Sequence, residues 1–244
     1  MPEGPSIVIL KELTEKFIGQ KVLQASGNAK IDHSVLLNEH LLEYKIYGKQ
    51  SYLVLGKHVI RIHFLLFGSY SVDEQTKPDR QLRLHLKFQN GDIYFFSCSV
   101  KLLDKACLKE IDWSGDVLSD EWNPLKARKK LKAHHEMMVC DALLDQNIFA
   151  GVGNIIKNEV LFRIGIHPES LIGNLPPKKL SALIAEARNY SFDFLKWKKQ
   201  FVLKKNWLVH TKKTCPKCGQ NLLKKHTGLT NRRSFFCEKD QKRY

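Results

Sequence analysis

A chain of 244 residues, 43% of them hydrophobic, is long enough for two modest domains with a buried core in each. Forty Lys plus Arg against 25 Asp plus Glu give a formal charge of +15, the electrostatic footprint of a protein that meets polyanions. The longest apolar stretch, Ile60 to Tyr70, is interrupted by Arg61 and His63 and falls short of a membrane span; Glu3 and the brief run Ile7 to Leu10 do not make a secretory signal, so the chain reads as a soluble, cytoplasmic, nucleoid-associated protein.

After Gly4-Pro5, the residues Ile7, Leu10, Leu13 and Phe17 recur at near-helical spacing and stop at Gly19, which predicts a short amphipathic helix. From Lys21 to about Val117 the pattern changes to strand-like runs: Tyr52 to Leu55, Val59 to Phe64, Ser69 to Val72, Leu82 to Phe88 and Asp92 to Ser97. Gly56-Lys57 and Asn90-Gly91-Asp92 separate them as turns, and Asn-Gly is a strong hairpin signal. Helix and antiparallel sandwich or barrel form a first domain, residues 1–117.

The segment Trp113 to Asn123 has no clear period. Asn123-Pro124 then supplies an N-cap followed by proline at the first helical position. Helical patterns cover Leu125 to Leu131, Glu136 to Leu144, Asn154 to Ile164 and Lys178 to Lys199, broken at Gly151-Val152-Gly153 and His167-Pro168, so a helical domain spans residues 118–212. A cysteine-bearing hairpin, residues 213–244, closes the chain. Lys196 to Tyr244 hold 15 basic and 2 acidic residues, a net +13, which leaves +2 for everything before. That run contains Trp197, Phe201, Trp207, Phe235, Phe236 and three cysteines, the composition of a folded element rather than of a solvated tail.

Cys98, Cys107 and Cys140 are dispersed in apolar surroundings and read as buried thiols. Cys215-Pro-Lys-Cys218-Gly is a knuckle of the kind that binds zinc, and Cys237 follows after 18 residues. A fourth cysteine is missing. Asp240 and His226 are both candidates for the fourth position, and a hairpin held by packing without metal is the third possibility.

Three segments read together resemble the formamidopyrimidine-DNA glycosylase / endonuclease VIII family, on its endonuclease VIII-like branch. The first is Met1-Pro2-Glu3-Gly4-Pro5. The second runs from Leu143-Leu144-Asp145-Gln146 through Gly151-Val152-Gly153-Asn154 to Gly165-Ile166-His167-Pro168, and is similar to that family's helix-two-turn-helix. The third is the cysteine hairpin. The resemblance implies an α+β fold: an N-terminal helix with an antiparallel β-sandwich, then a helical domain carrying the helix-two-turn-helix and a zinc-finger β-hairpin. It implies a monomeric enzyme that excises oxidised bases, pyrimidines favoured, from duplex DNA and cleaves the strand at the resulting abasic site.

The chemistry rests on Pro2. Once Met1 is removed, its secondary amine belongs to a class with a pKa of about 7.7–8.0, against about 10.4 for lysine, so a neutral, nucleophilic fraction exists at neutral pH. Glu3 is the adjacent general acid/base. By the resemblance, Lys49 contacts phosphate near the lesion and assists catalysis, and Leu66, in His63-Phe64-Leu65-Leu66-Phe67-Gly68, is the wedge that fills the gap left by a flipped nucleotide. Asn154 and Arg232 hold phosphates, whereas Glu159, facing apolar neighbours, is structural. One structural zinc is expected on Cys215, Cys218, Cys237 and Asp240, the last preferred over His226 because it keeps the family's spacing. Two other readings stay open: a DNA-binding paralogue that has lost the chemistry, and a zinc-ribbon nucleic-acid-binding factor with no lyase step.

Overall fold

Gly4–Thr14 forms α1 in a computed structural model that describes residues 2–244. Glu3 caps it with an extended backbone whose carbonyl accepts the Ser6 N–H at 2.8 Å, and Pro5 sits in the first turn, where its missing N–H costs nothing. Ile7 and Leu10 are buried and a 3-10 turn, Glu15–Phe17, carries Phe17 into the same core. Leu13, the remaining member of the apolar pattern, is half exposed.

Two four-stranded antiparallel sheets follow. The strands in chain order are β1 (Gln24–Ser26), β2 (Leu41–Tyr47), β3 (Gln50–Leu55), β4 (His58–His63), β5 (Ser69–Val72), β6 (Leu82–Phe88), β7 (Gly91–Phe96) and β8 (Ser99–Asp104). One sheet has the order β1-β6-β7-β5 and the other β2-β3-β4-β8. Leu53, Leu55, Ile60 and Ile62 of the second meet Leu84, Leu86, Ile93 and Phe95 of the first in one core, to which α1 adds Ile7 and Leu10. This is the expected sandwich.

The five expected strands are present. β1, β2 and β8 were not legible. β1 has only three residues, β2 loses its alternation to a bulge between Leu41 and Glu43, and β8 is interrupted by Lys101. β3 is buried on both faces, because Tyr52 and Val54 pack with Cys107, Leu108 and Ile111 on the far side of its sheet. Cys107 lies there in a 3-10 segment, Lys105–Glu110, and is half-buried, unlike the buried Cys98 and Cys140.

The chain divides into two compact units between Asp112 and Trp113. The second unit holds α2 (Pro124–Ala133), α3 (Val139–Leu144), α4 (Asn154–Ile164) and α5 (Pro177–Lys199). Asn123 caps α2, its Oδ1 accepting the Leu125 and Lys126 N–H groups at 3.0 and 3.1 Å. α3 begins at Val139 instead of Glu136: Met138 is extended, forms a bridge to Leu171, and the Val139 N–H goes to the Ser170 carbonyl at 2.9 Å. The helices bury Leu131, Leu143, Phe149, Ile156, Val160 and Leu183 in a single core. The hairpin of β9 (Leu223–Thr227) and β10 (Arg232–Phe236) lies against α4, with Phe235 in a cluster with Phe162, Val209 and Cys215. No described helix is long and apolar enough to cross a membrane.

Candidate active site, nucleic-acid interface and metal centre

In the first unit the start of α1 brings Pro2 and Glu3 together by adjacency. Pro2 is half-buried and Glu3 only 2% exposed. An acidic residue in this position is favoured by the positive end of the helix dipole. Met1, whose removal would free the Pro2 amine, lies outside the described residues. Lys49 occupies the turn between β2 and β3, and its neighbour Gln50 pairs with His63 across the β3–β4 ladder. Burial first, then the Lys49 and Arg61 charges, push the His63 pKa below its usual value, so the ring is neutral near pH 7. Its Nδ1 accepts the Leu65 N–H at 3.3 Å, which anchors the loop that follows β4. Leu65 there has a left-handed φ of 54°, and Leu66 and Phe67 stand 48% and 83% exposed. Three successive large apolar side chains thus stand about half exposed or more at one turn.

In the second unit the helix-two-turn-helix and the hairpin build one groove of about 440 Å³, whose lining includes Asn154, His210, Thr211, Arg232, Arg233 and Phe235. Gly151, at φ +99°, makes the turn into α4, a backbone shape that a side chain would strain. Asn154 is the first residue of α4, with Gly153 as its cap, so it is not itself an N-cap. Its Nδ2 donates to the Arg233 carbonyl at 2.9 Å, and its Oδ1 is buried without a partner among the described residues. Arg232 opens β10, half-buried at the rim.

Glu159, fully buried one turn further along α4, accepts the N–H groups of Leu208, Val209 and His210 at 2.9, 3.0 and 2.7 Å. Burial raises its pKa while these amides lower it. Glu159 therefore shapes the segment that enters the hairpin. Arg163 joins Glu186 and Asp193 at 3.1 Å each, and that pair ties α4 to α5.

His210 was not singled out from the sequence. Its ring is held by Asn158 Nδ2 on Nδ1 at 3.0 Å and lies edge-to-face with Trp207 and Phe235. Desolvation, then the nearby Lys157 charge, lower its pKa to about 4. Lys157, also unflagged, is fully buried and donates to Ser234 Oγ at 2.8 Å and the Arg233 carbonyl at 3.3 Å, while Ser234 meets Thr227 Oγ1 at 2.6 Å. The one available signal was the helix itself: Asn154-Ile-Ile-Lys-Asn-Glu-Val-Leu-Phe has too little polar face to leave Lys157, Asn158 and Glu159 in solvent.

The hairpin base gathers Cys215, Cys218, Cys237 and Asp240, with one ligand atom from each within 4.8 Å of the others. A tetrahedral site with zinc–sulfur bonds of ~2.3 Å has edges of ~3.8 Å, so the four donors are spaced as such an ion requires and could bind a metal. Cys215 and Cys237 donate to Asp240 Oδ2 at 3.0 and 3.3 Å, and thiol donation, led by Cys218, holds the carboxyl down to about 2. His226 stands apart from this cluster: it lies in β9 paired with Arg233, and its Nδ1 meets the Asn231 carbonyl at 2.8 Å.

The profile of the Formamidopyrimidine-DNA glycosylase H2TH domain matches residues 114–191. Endonuclease 8-like 3 of Xenopus laevis is 29% identical over 232 residues, 91% of this chain and 38% of that protein. Its Homo sapiens counterpart is 31% identical over 206 residues, 80% of this chain and 33% of that one. The chain thus spans only 38% and 33% of the length of these two relatives. The backbone is similar to that of Lactococcus lactis formamidopyrimidine DNA glycosylase bound to abasic-site DNA, with a TM-score of 0.86 at 20% identity, covering 99% of this chain and 100% of the other.

Proposed function

The chain belongs to the formamidopyrimidine-DNA glycosylase / endonuclease VIII family, and on that premise we propose that it is a bifunctional DNA glycosylase and abasic-site lyase acting on oxidised bases in duplex DNA. The Pro2 amine, freed of Met1, attacks C1′ of the damaged nucleotide, and the base departs with the electrons of the glycosidic bond. The nitrogen loses its proton and closes an iminium as the sugar ring opens, with Glu3 returning a proton to the ring oxygen. The iminium acidifies C2′; loss of that proton expels the 3′ phosphate by β-elimination, and a δ-elimination of the 5′ phosphate can follow.

The observation that carries this reading is the start of α1. Glu3, buried as the helix cap, follows directly on a half-buried Pro2, so a carboxyl-bearing residue and the amine are neighbours at the start of a helix. Lys49 supplies a cation for a phosphate near the lesion, and the exposed Leu66 is the wedge for the vacated stack. Asn154 and Arg232, which share the groove of the second unit, hold backbone phosphates. Cys215, Cys218, Cys237 and Asp240 hold one structural zinc, which ties the base of the hairpin together. Oxidised pyrimidines are the favoured lesions, following the Gly4 variant of the opening segment.

Borohydride reduction on abasic-site duplex DNA tests the mechanism. The wild type is expected to form a stable covalent adduct, and protein with a chemically blocked N-terminus none. Pro2→Gly should largely lose base excision while keeping its fold. Undiminished cross-linking by the blocked protein would overturn the assignment of the nucleophile.

A further inference from the structure

The hairpin turn that precedes Arg232 is held from outside the hairpin. Asp141, the third residue of α3 and 7% exposed, accepts the Leu229 N–H at 2.8 Å on Oδ2, and the Thr230 N–H and Oγ1–H at 3.0 and 2.7 Å on Oδ1. Two successive amides and a hydroxyl thus converge on one carboxylate. The loop is shaped to let it in. Gly228 has a φ of +69°, and a Cβ there would collide with both carboxylate oxygens and the carbon between them. Glycine is therefore demanded twice at this position, by its backbone and by the approach of Asp141. The turn buries no apolar side chain of its own, since Leu229 is almost wholly exposed.

We propose that Asp141 is a positioning residue for Arg232: by clamping the loop 228–231 it sets where the guanidinium at the start of β10 stands over the groove. The proposal rests on the reading of Arg232 as a phosphate ligand. The metal-ligand cluster sits at the opposite end of the strands, beyond Phe236, and cannot restrain the tip. Asn154 and Lys157 hold β10 on the far side of Arg232, at the Arg233 carbonyl and Ser234, which leaves Asp141 as the tie from outside the hairpin to the turn that leads into Arg232. Charge-assisted hydrogen bonds of this kind are the strong ones, and a clamp made of three of them can bias a short loop that packing does not hold.

A double-mutant cycle tests the idea on the full chain with a duplex oligonucleotide carrying a tetrahydrofuran abasic-site analogue. Asp141→Asn is expected to weaken binding several-fold, Arg232→Ala about tenfold, and the double variant no more than Arg232→Ala alone, because the clamp acts through the arginine. Metal content should stay at the wild-type level in every variant, which a general loss of hairpin structure would not allow. Gly228→Ala, which pushes the carboxylate away without removing it, should reproduce Asp141→Asn. Wild-type affinity in Asp141→Asn, or losses that add to those of Arg232→Ala, would overturn the proposal. Wild-type affinity in Arg232→Ala would instead overturn the phosphate-ligand reading beneath it, so the two failures are distinguishable.

Discussion

Asn158 fixes the tautomer of His210. Its Oδ1 accepts the Phe235 N–H at 3.3 Å, which orients the amide, so Nδ2 must donate to His210 Nδ1 at 3.0 Å. An imidazole that accepts on Nδ1 carries its proton on Nε2 when neutral, and desolvation with the Lys157 charge keeps it neutral. The groove that holds Arg232 therefore has a donor in its wall that adds no charge at pH 7.

This relationship predicts a pH dependence of stability. The His210 pKa falls from 6.5 to about 4 on folding, so the unfolded chain takes up the proton first as pH drops. The stability from this residue is present in full above pH 6.5 and is lost as pH falls from there toward 4. Allowing for the partial exposure of the ring, the loss is on the order of 1–2 kcal/mol. Urea midpoints at pH 7.5 and 5.0 for wild type and His210→Gln check it: the variant should show the smaller difference, and equal differences would refute the assignment.

Glu159 should matter to stability more than to chemistry. Glu159→Ala strands three amides, those of Leu208, Val209 and His210, in the interior, at a cost of about 2–5 kcal/mol. Glu159→Gln keeps one carbonyl acceptor and should lose less. Denaturant unfolding of both variants measures the order; a Glu159→Ala protein as stable as the wild type would show that the 208–210 segment is held elsewhere.

Metal content separates the two candidate fourth ligands. Asp240→Ala should lose the ion, whereas His226→Ala should retain one per chain, since His226 is engaged in β9 and lies outside the cluster. The site should also yield to a chelator faster than a four-thiolate one, because a harder oxygen replaces a soft sulfur. The converse pattern, zinc lost from His226→Ala alone, would redraw the ligand set.

Leu66→Ala should slow excision of a base-paired lesion by roughly tenfold, because extrusion costs a few kcal/mol that a wedge partly offsets. Cleavage at a preformed abasic site should change much less, since no base has to leave the stack. Single-turnover rates on the two substrates provide the comparison, and an equal effect on both would assign Leu66 a binding role.

How much of this was legible in the sequence depended on how local the signal was. The five strands with clear alternation, the Asn123-Pro124 start of α2 and the bounds of α4 are set by neighbours within a few residues, and all three are found in place. β1 and β2, too short or too bulged to show a period, form because partner strands offer them hydrogen bonds. The start of α3 moved to Val139 for the same reason: a bridge to Leu171 takes up the residue before it.

The site divides along the same line. Pro2 and Glu3 are adjacent in the chain, and the spacing of Cys215, Cys218, Cys237 and Asp240 already carried their convergence at the base of one hairpin. No spacing could reveal that Asp141 reaches a turn 88 residues away, that Lys157 is fully buried beneath β10, or that Asn158 orients His210 across 52 residues. Residue chemistry and short periods are written in the order of the chain, so the cysteine cluster and the helices could be read from it. Buried charges find partners only when packing excludes water and brings donors and acceptors of distant segments within reach, and that selection is made by the tertiary structure.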